Sequence, residues 1–69
     1  MVRSALVFDG VITEDFGKQF SVHLDNGFVI RAHRSGKIVK HRISLLVGDR
    51  VRCELCEADP SKGRIVRRF

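Results

Sequence analysis

The chain has 69 residues, which fits one small domain, residues 1–69, hiding only about 60% of the surface its unfolded form exposes. That length excludes a second domain, a Rossmann fold and a barrel of eight βα units, and leaves little room for a deep enzyme pocket. Apolar residues at 43%, charged residues at 30% and a net charge of +5 describe a globular chain rather than a disordered tail.

Gly10, Gly17, the pair Asn26-Gly27, Gly36, Gly48 and Pro60 with Gly63 cut the chain into short pieces at nearly regular spacing, the pattern of a small all-β barrel or sandwich. The first strand is expected over about Val7 to Glu14, with Ile12 inward and a bulge or sharp bend at Gly10. Phe20 to Leu24 alternates apolar and polar residues. Asn26-Gly27 then supplies the positive φ angles of a tight hairpin turn, and Phe28 to His33 returns. Alternation puts Phe20, Val22, Leu24, Ile30 and Ala32 on the core face and Ser21, His23, Val29, Arg31 and His33 outside.

After His33 the period changes. Val39, Ile43 and Leu46 stand at i, i+4 and i+7, which predicts a helix of two or three turns on the end of a barrel. Ser35 caps it, and Lys37, Lys40, His41 and Ser44 take the wet face. Gly48-Asp49 is a turn. Val51 to Leu55 alternates again, with Val51, Cys53 and Leu55 inward. A loop follows over residues 58–63, and the last strand is expected over Arg64 to Arg68. Three strands, a helix and two strands is the element order of the OB-fold, a five-stranded Greek-key barrel. The fold class expected is therefore an all-β OB-fold with one short helix between the third and fourth strands.

The charge is unevenly distributed. Residues 1–30 and 43–61 each carry a net −2. Residues 31–42 carry +5 and residues 62–69 carry +4, and neither of these two stretches contains an acid. Nine of the thirteen basic residues thus sit in two acid-free blocks. Brought together, they form an electrostatic footprint for a polyanion. In an OB-fold the last strand is expected beside the first and third, so both blocks border one side of the barrel.

No catalytic constellation is legible. Cys53 and Cys56 have C-x-x-C spacing, but residues three apart on a strand point to opposite faces, so the sulfurs diverge. With no second such pair and no histidine pair, no metal site is expected. His23, His33 and His41 lie on separate elements, and the carboxylates form no acid/base pair. Neither enzyme activity nor a cofactor is expected. Tyr and Trp are absent; Phe16 and Phe28 stand near strand ends, where a ring can be partly exposed, with packing at the core or an edge the preferred reading. The chain is poor in base-stacking platforms, which favours folded RNA read through phosphates and shape. No apolar run suffices to cross a bilayer. Residues 1–5 lack the apolar segment of an export signal, so a cytoplasmic monomer is expected.

Leu24-Asp25-Asn26-Gly27, Ala32-His33-Arg34-Ser35-Gly36-Lys37, Gly48-Asp49-Arg50-Val51 and Ser61-Lys62-Gly63-Arg64-Ile65-Val66 together resemble the bacterial translation initiation factor 1 family, in the same order and at nearly the same spacing. The likeness runs from about Leu6 to Arg68. It implies a cytoplasmic OB-fold protein that occupies the A site of the small ribosomal subunit. Such a protein touches rRNA and a neighbouring ribosomal protein, and acts with initiation factors 2 and 3. His33, Ser35, Gly36 and Lys37 match the family's loop after the third strand, Lys40 a basic helix position, and Arg64 and Arg68 the basic last strand. With the rest of the two blocks, the expected rRNA-binding set is Arg31, His33, Arg34, Ser35, Gly36, Lys37, Lys40, Arg42, Lys62, Arg64, Arg67 and Arg68. Members usually carry arginine at Val39, an aromatic at Arg42 and often arginine at Ser44. An apolar residue is common at Arg34, and the loop holding Phe16-Gly17-Lys18 is one residue short and lacks the usual Leu-Pro-Asn. The positive charge is kept but moved, the pattern of a divergent paralogue. A general RNA chaperone of cold-shock type and a protein-binding adaptor remain as alternatives.

Overall fold

The computed structural model describes residues 6–69. Residues 1–5, on which the reading of a missing export signal rests, lie outside the described residues. The described strands are β1 (Leu6–Asp15), β2 (Phe20–Leu24), β3 (Val29–Arg34), β4 (Arg50–Leu55) and β5 (Lys62–Arg68), with helix α1 (Gly36–Lys40) between β3 and β4. They close into a barrel in the order β1-β2-β3-β5-β4. The β3–β5 contact is parallel and the others are antiparallel. The last strand therefore lies between β3 and β4, not beside the first. It is β4 that pairs with β1, from Leu6↔Leu55 to Val11↔Arg50. Among the described residues no helix is long and apolar enough to cross a membrane.

The β2–β3 hairpin follows the alternation. Phe20, Val22, Leu24, Ile30 and Ala32 are buried, while His23, Val29, Arg31 and His33 are exposed. Ser21 faces the outside yet is covered, in a groove it shares with Gln19, Arg31 and Lys62. The turn needs positive φ only at Gly27 (95°), not at Asn26 as well. Gly27 N–H donates to Leu24 C=O at 2.9 Å, and Leu24 N–H to Phe28 C=O at 2.8 Å. The loop is thus a three-residue turn with glycine in the left-handed position.

Gly10 does not mark the bulge. Register shifts between Ile12 and Glu14, at Thr13. Gly10 instead pairs with Leu24 on one side and Val51 on the other. A Cβ there would lie 2.5 Å from the His23 carbonyl oxygen and 2.8 Å from Leu24 Cα. The position excludes any side chain because the β2 backbone approaches so closely there.

The helix is shorter than its apolar stripe suggested. Ser35 caps it, accepting the Ile38 N–H on Oγ at 3.2 Å. Ser35 N–H in turn donates to the Ile65 carbonyl at 3.0 Å. This bond to β5 sets the helical phase, so that Ile38 points into the barrel and is fully buried, while Val39 is 59% exposed. Arg42 at φ 53° ends the helical path. Beyond it Leu45 is buried, Ile43 is half-buried and Leu46 is exposed. Lys37, Lys40, His41 and Ser44 are exposed as expected, but His41 and Ser44 lie beyond the helix, and so do Ile43 and Leu46 of the expected stripe. Ile38→Ala should cost about 2–4 kcal/mol in urea unfolding through the cavity it leaves, and Val39→Ala less than about 0.5 kcal/mol; the reverse order would contradict this phase.

Candidate nucleic-acid interface

Parallel pairing of β3 with β5 sets Arg31 beside Lys62, Ala32 beside Gly63, His33 beside Arg64 and Arg34 beside Ile65. Strand alternation turns Ala32, Gly63 and Ile65 inward. Arg31, His33, Lys62 and Arg64 therefore share the outer surface, and all four are exposed. The chain leaves β3 directly into α1, whose Gly36 and Lys37 line one groove with Arg64 and Arg67, while Lys40 is exposed further along the helix. The two acid-free blocks thus meet where Arg31 to Arg34 run beside Lys62 to Ile65.

The cations differ in how they are held. Arg64 donates from Nε and Nη2 to Glu54 Oε1 at 3.1 and 2.9 Å. Lys62 reaches Asp59 at 4.0 Å. Arg31 stacks over the Phe16 ring, 4.3 Å from its centroid, and donates to Gln19 Oε1 at 3.3 Å. Arg34 donates to the Gly17 carbonyl at 3.0 Å and lies over the edge of the core at Phe20. Arg68 donates to the Ser44 carbonyl at 3.1 Å, and Arg67 lies near the Phe69 ring. Among the described residues Lys37, Lys40 and Arg42 have no carboxylate within ion-pair distance. Ser35 is buried and spends its Oγ on the cap, so it shapes the surface rather than lining it with a free hydroxyl.

Two shallow grooves flank the β3–β5 seam. One, of about 500 Å³, has Gln19, Arg31, Ser61 and Lys62 in its walls. The other, of about 530 Å³, runs between the start of α1 and strands β4 and β5, past Lys37, Arg52, Glu54, Arg64 and Arg67.

Several surface groups were not legible in the sequence. Phe16 is 50% exposed and Phe28 is 70% exposed, where packing was the preferred reading. Both lie just outside the strands, beyond the reach of alternation, so the strand-end alternative and not core packing describes them. The Arg34 bond to Gly17 brings the β1–β2 turn, with Lys18, to the border of the basic side, although Lys18 belongs to an acidic stretch of sequence. Arg52 and Glu54 line the second groove although their block is net acidic.

On the β1–β4 side the arginines are neutralised. Arg52 donates from Nε and Nη2 to the two oxygens of Asp9 at 2.8 and 3.2 Å. Arg50 forks onto Asp25. Each hydrogen-bonded guanidinium holds its carboxyl below the ordinary aspartate value, and Asp59 is lowered by its bonds from Ser61. Lowered folded-state values contribute stability at neutral pH that is lost as pH falls through them. The melting temperature should fall below about pH 4, and Asp9→Asn should reduce that dependence; an unchanged acid limb in Asp9→Asn would contradict the assignment.

Cys53 is buried on β4 as alternation requires, Cys56 lies exposed just past the strand's end, and both are free. Burial, with Asp9 nearby, pushes the Cys53 thiol up to about 12. Among the described residues no three His, Cys, Asp or Glu side chains gather as a metal site would require. A thiol-specific reagent at neutral pH should modify Cys56 alone in the folded protein and both cysteines in denaturant. Rapid loss of two thiols from the folded state would contradict this.

A closed five-stranded barrel of this connectivity, with its helix between the third and fourth strands, is an OB-fold. No protein-family model matches the sequence. The solution structure of translation initiation factor 1 from the Wolbachia endosymbiont strain TRS of Brugia malayi superposes with a TM-score of 0.77 at 34% identity, covering 97% of this chain and 80% of that one. The crystal structure of YjeQ from Thermotoga maritima has the same TM-score at 23% identity, covering 93% of this chain and 23% of that one, and shows the shared fold alone. The chain belongs to the translation initiation factor 1 family.

Proposed function

We propose that the protein is a cytoplasmic translation initiation factor that binds the A-site region of the small ribosomal subunit as a monomer. It does so through rRNA contacts and assists initiation factors 2 and 3. The observation that supports this reading is the β3–β5 register, which sets Arg31 of one acid-free block beside Lys62 of the other and His33 beside Arg64. The members of the proposed cationic surface would be Arg31, His33, Arg34, Gly36, Lys37, Lys40, Arg42, Lys62, Arg64, Arg67 and Arg68, with Ser35 holding the cap. Such a surface gains affinity by releasing counterions from phosphates and tracks the backbone of a folded RNA by shape. No step of this function calls for a bond to be made or broken by the protein.

A second reading, a general RNA chaperone, gains from the exposed rings of Phe16 and Phe28, which offer faces for unpaired bases. Footprinting of small-subunit rRNA separates the two: an initiation factor protects one discrete region, and a chaperone melts hairpins without a fixed footprint.

Lys37→Ala should weaken binding to the small subunit and flatten the plot of log K against log salt by about one unit. Arg50→Gln removes the same unit charge from the neutralised side and should leave binding nearly unchanged. Equal binding by Lys37→Ala, Arg67→Ala and wild type at about 0.15 M salt, where screening is physiological, would place the interface elsewhere.

A further inference from the structure

The second groove contains an anomaly. Lys37, Arg52, Arg64 and Arg67 contribute four cations to its lining, and one carboxylate, Glu54, stands among them. Glu54 on β4 lies directly across from Arg64 on β5. Both hydrogen bonds from Arg64 end on the same oxygen, Oε1. The pair is open to solvent, with the Arg64 side chain 56% exposed and the Glu54 side chain 34% exposed. Arg52 is already held by Asp9 on its other side, whereas Lys37 and Arg67 make no ion pair with the described residues.

A guanidinium presents its donors as a planar fork, and carboxylate and phosphate oxygens accept it in the same way. In the free protein Glu54 therefore occupies the Nε–Nη2 edge of Arg64, an edge that a phosphodiester accepts in the same way. We propose that Glu54 is an internal competitor for RNA phosphate: it holds Arg64 in the unbound protein, is displaced when a phosphodiester enters between Lys37, Arg64 and Arg67, and so lowers the affinity for polyanions in general. The inference rests on the reading of this surface as an RNA interface. An exposed ion pair is weak enough to yield to a phosphate supported by two further cations. The competing explanation is a cross-strand pair that only steadies the β4–β5 ladder. Loss of such a pair lowers stability, and any gain in binding from the lost charge alone would persist without Arg64.

Glu54→Gln keeps the shape and a carbonyl acceptor for Arg64 while removing the charge. Wild type, Glu54→Gln and Glu54→Ala are titrated against a short oligouridylate and against purified small subunits at one salt concentration, each also in an Arg64→Ala background. Both Glu54 variants should bind oligouridylate about two- to five-fold more tightly, the range set by exposed ion pairs. More than half of that gain should vanish without Arg64. Binding equal to or weaker than wild type overturns the proposal, as does a gain of the same size without Arg64, which would reflect net charge alone. Wild type that binds oligouridylate but ignores the small subunit would overturn the initiation-factor reading and leave the competition by Glu54 standing on its own result.

Discussion

The parallel contact between β3 and β5 is the constraint on which the rest of the molecule depends. It is the single parallel seam in the described barrel, and it joins segments separated by the helix, a long loop and β4. A parallel pair needs a crossover connection, and α1 with the residues after it supplies that crossover. The seam also fixes the helix, because Ser35, one residue past β3, bonds back to Ile65 on β5. From that anchor follow the cap on Ile38, the burial of Ile38 and the exposure of Lys37 and Lys40 beside it.

The same seam divides the charge. On the β1–β4 side Arg50 and Arg52 meet Asp25 and Asp9 and are neutralised in place. On the β3–β5–α1 side acids are scarce and cations accumulate. Glu54 stands at the border, on β4 but reaching across to Arg64. Arg31, Lys62 and Arg64 share the outer surface of the β3–β5 pair, and a cluster of one charge sign steers a polyanion.

Membership of the initiation factor 1 family rests on the whole barrel, and the departures from the family's usual residues fall on its surface. Val39, Arg42 and Ser44 are all exposed or half-buried, so none of them is required by the core. Val39 stands on the open face of α1 beside Lys40. Arg42 adopts a left-handed φ, a position in which an arginine is uncommon. Arg34, where an apolar residue is common, bonds the Gly17 carbonyl and so ties down the short β1–β2 turn. The altered surface and the altered turn are thus linked by one hydrogen bond.

Much of this protein was determined by local sequence. Alternation from Phe20 to Leu24 and from Val29 to Ala32 fixed which side chains enter the core, because a strand has only two faces. Cys53 faces inward on β4 as alternation required, Cys56 lies exposed just past the strand's end, and the two basic blocks were visible as charge. The tertiary structure decided what depends on a partner distant in the chain. The bond from Ser35 to Ile65 selected Ile38 over Val39 as the helix's buried residue, which no stripe of apolar residues could reveal. The bulge falls at Thr13, and Gly10 stands where the β2 backbone at His23 and Leu24 leaves no room for a Cβ. Phe16 and Phe28 stayed exposed because they lie just outside the strands, beyond the reach of alternation. The closure of the barrel placed β5 between β3 and β4, and only that neighbourhood could set Glu54 opposite Arg64, since cross-strand distance is a property of register and not of sequence separation.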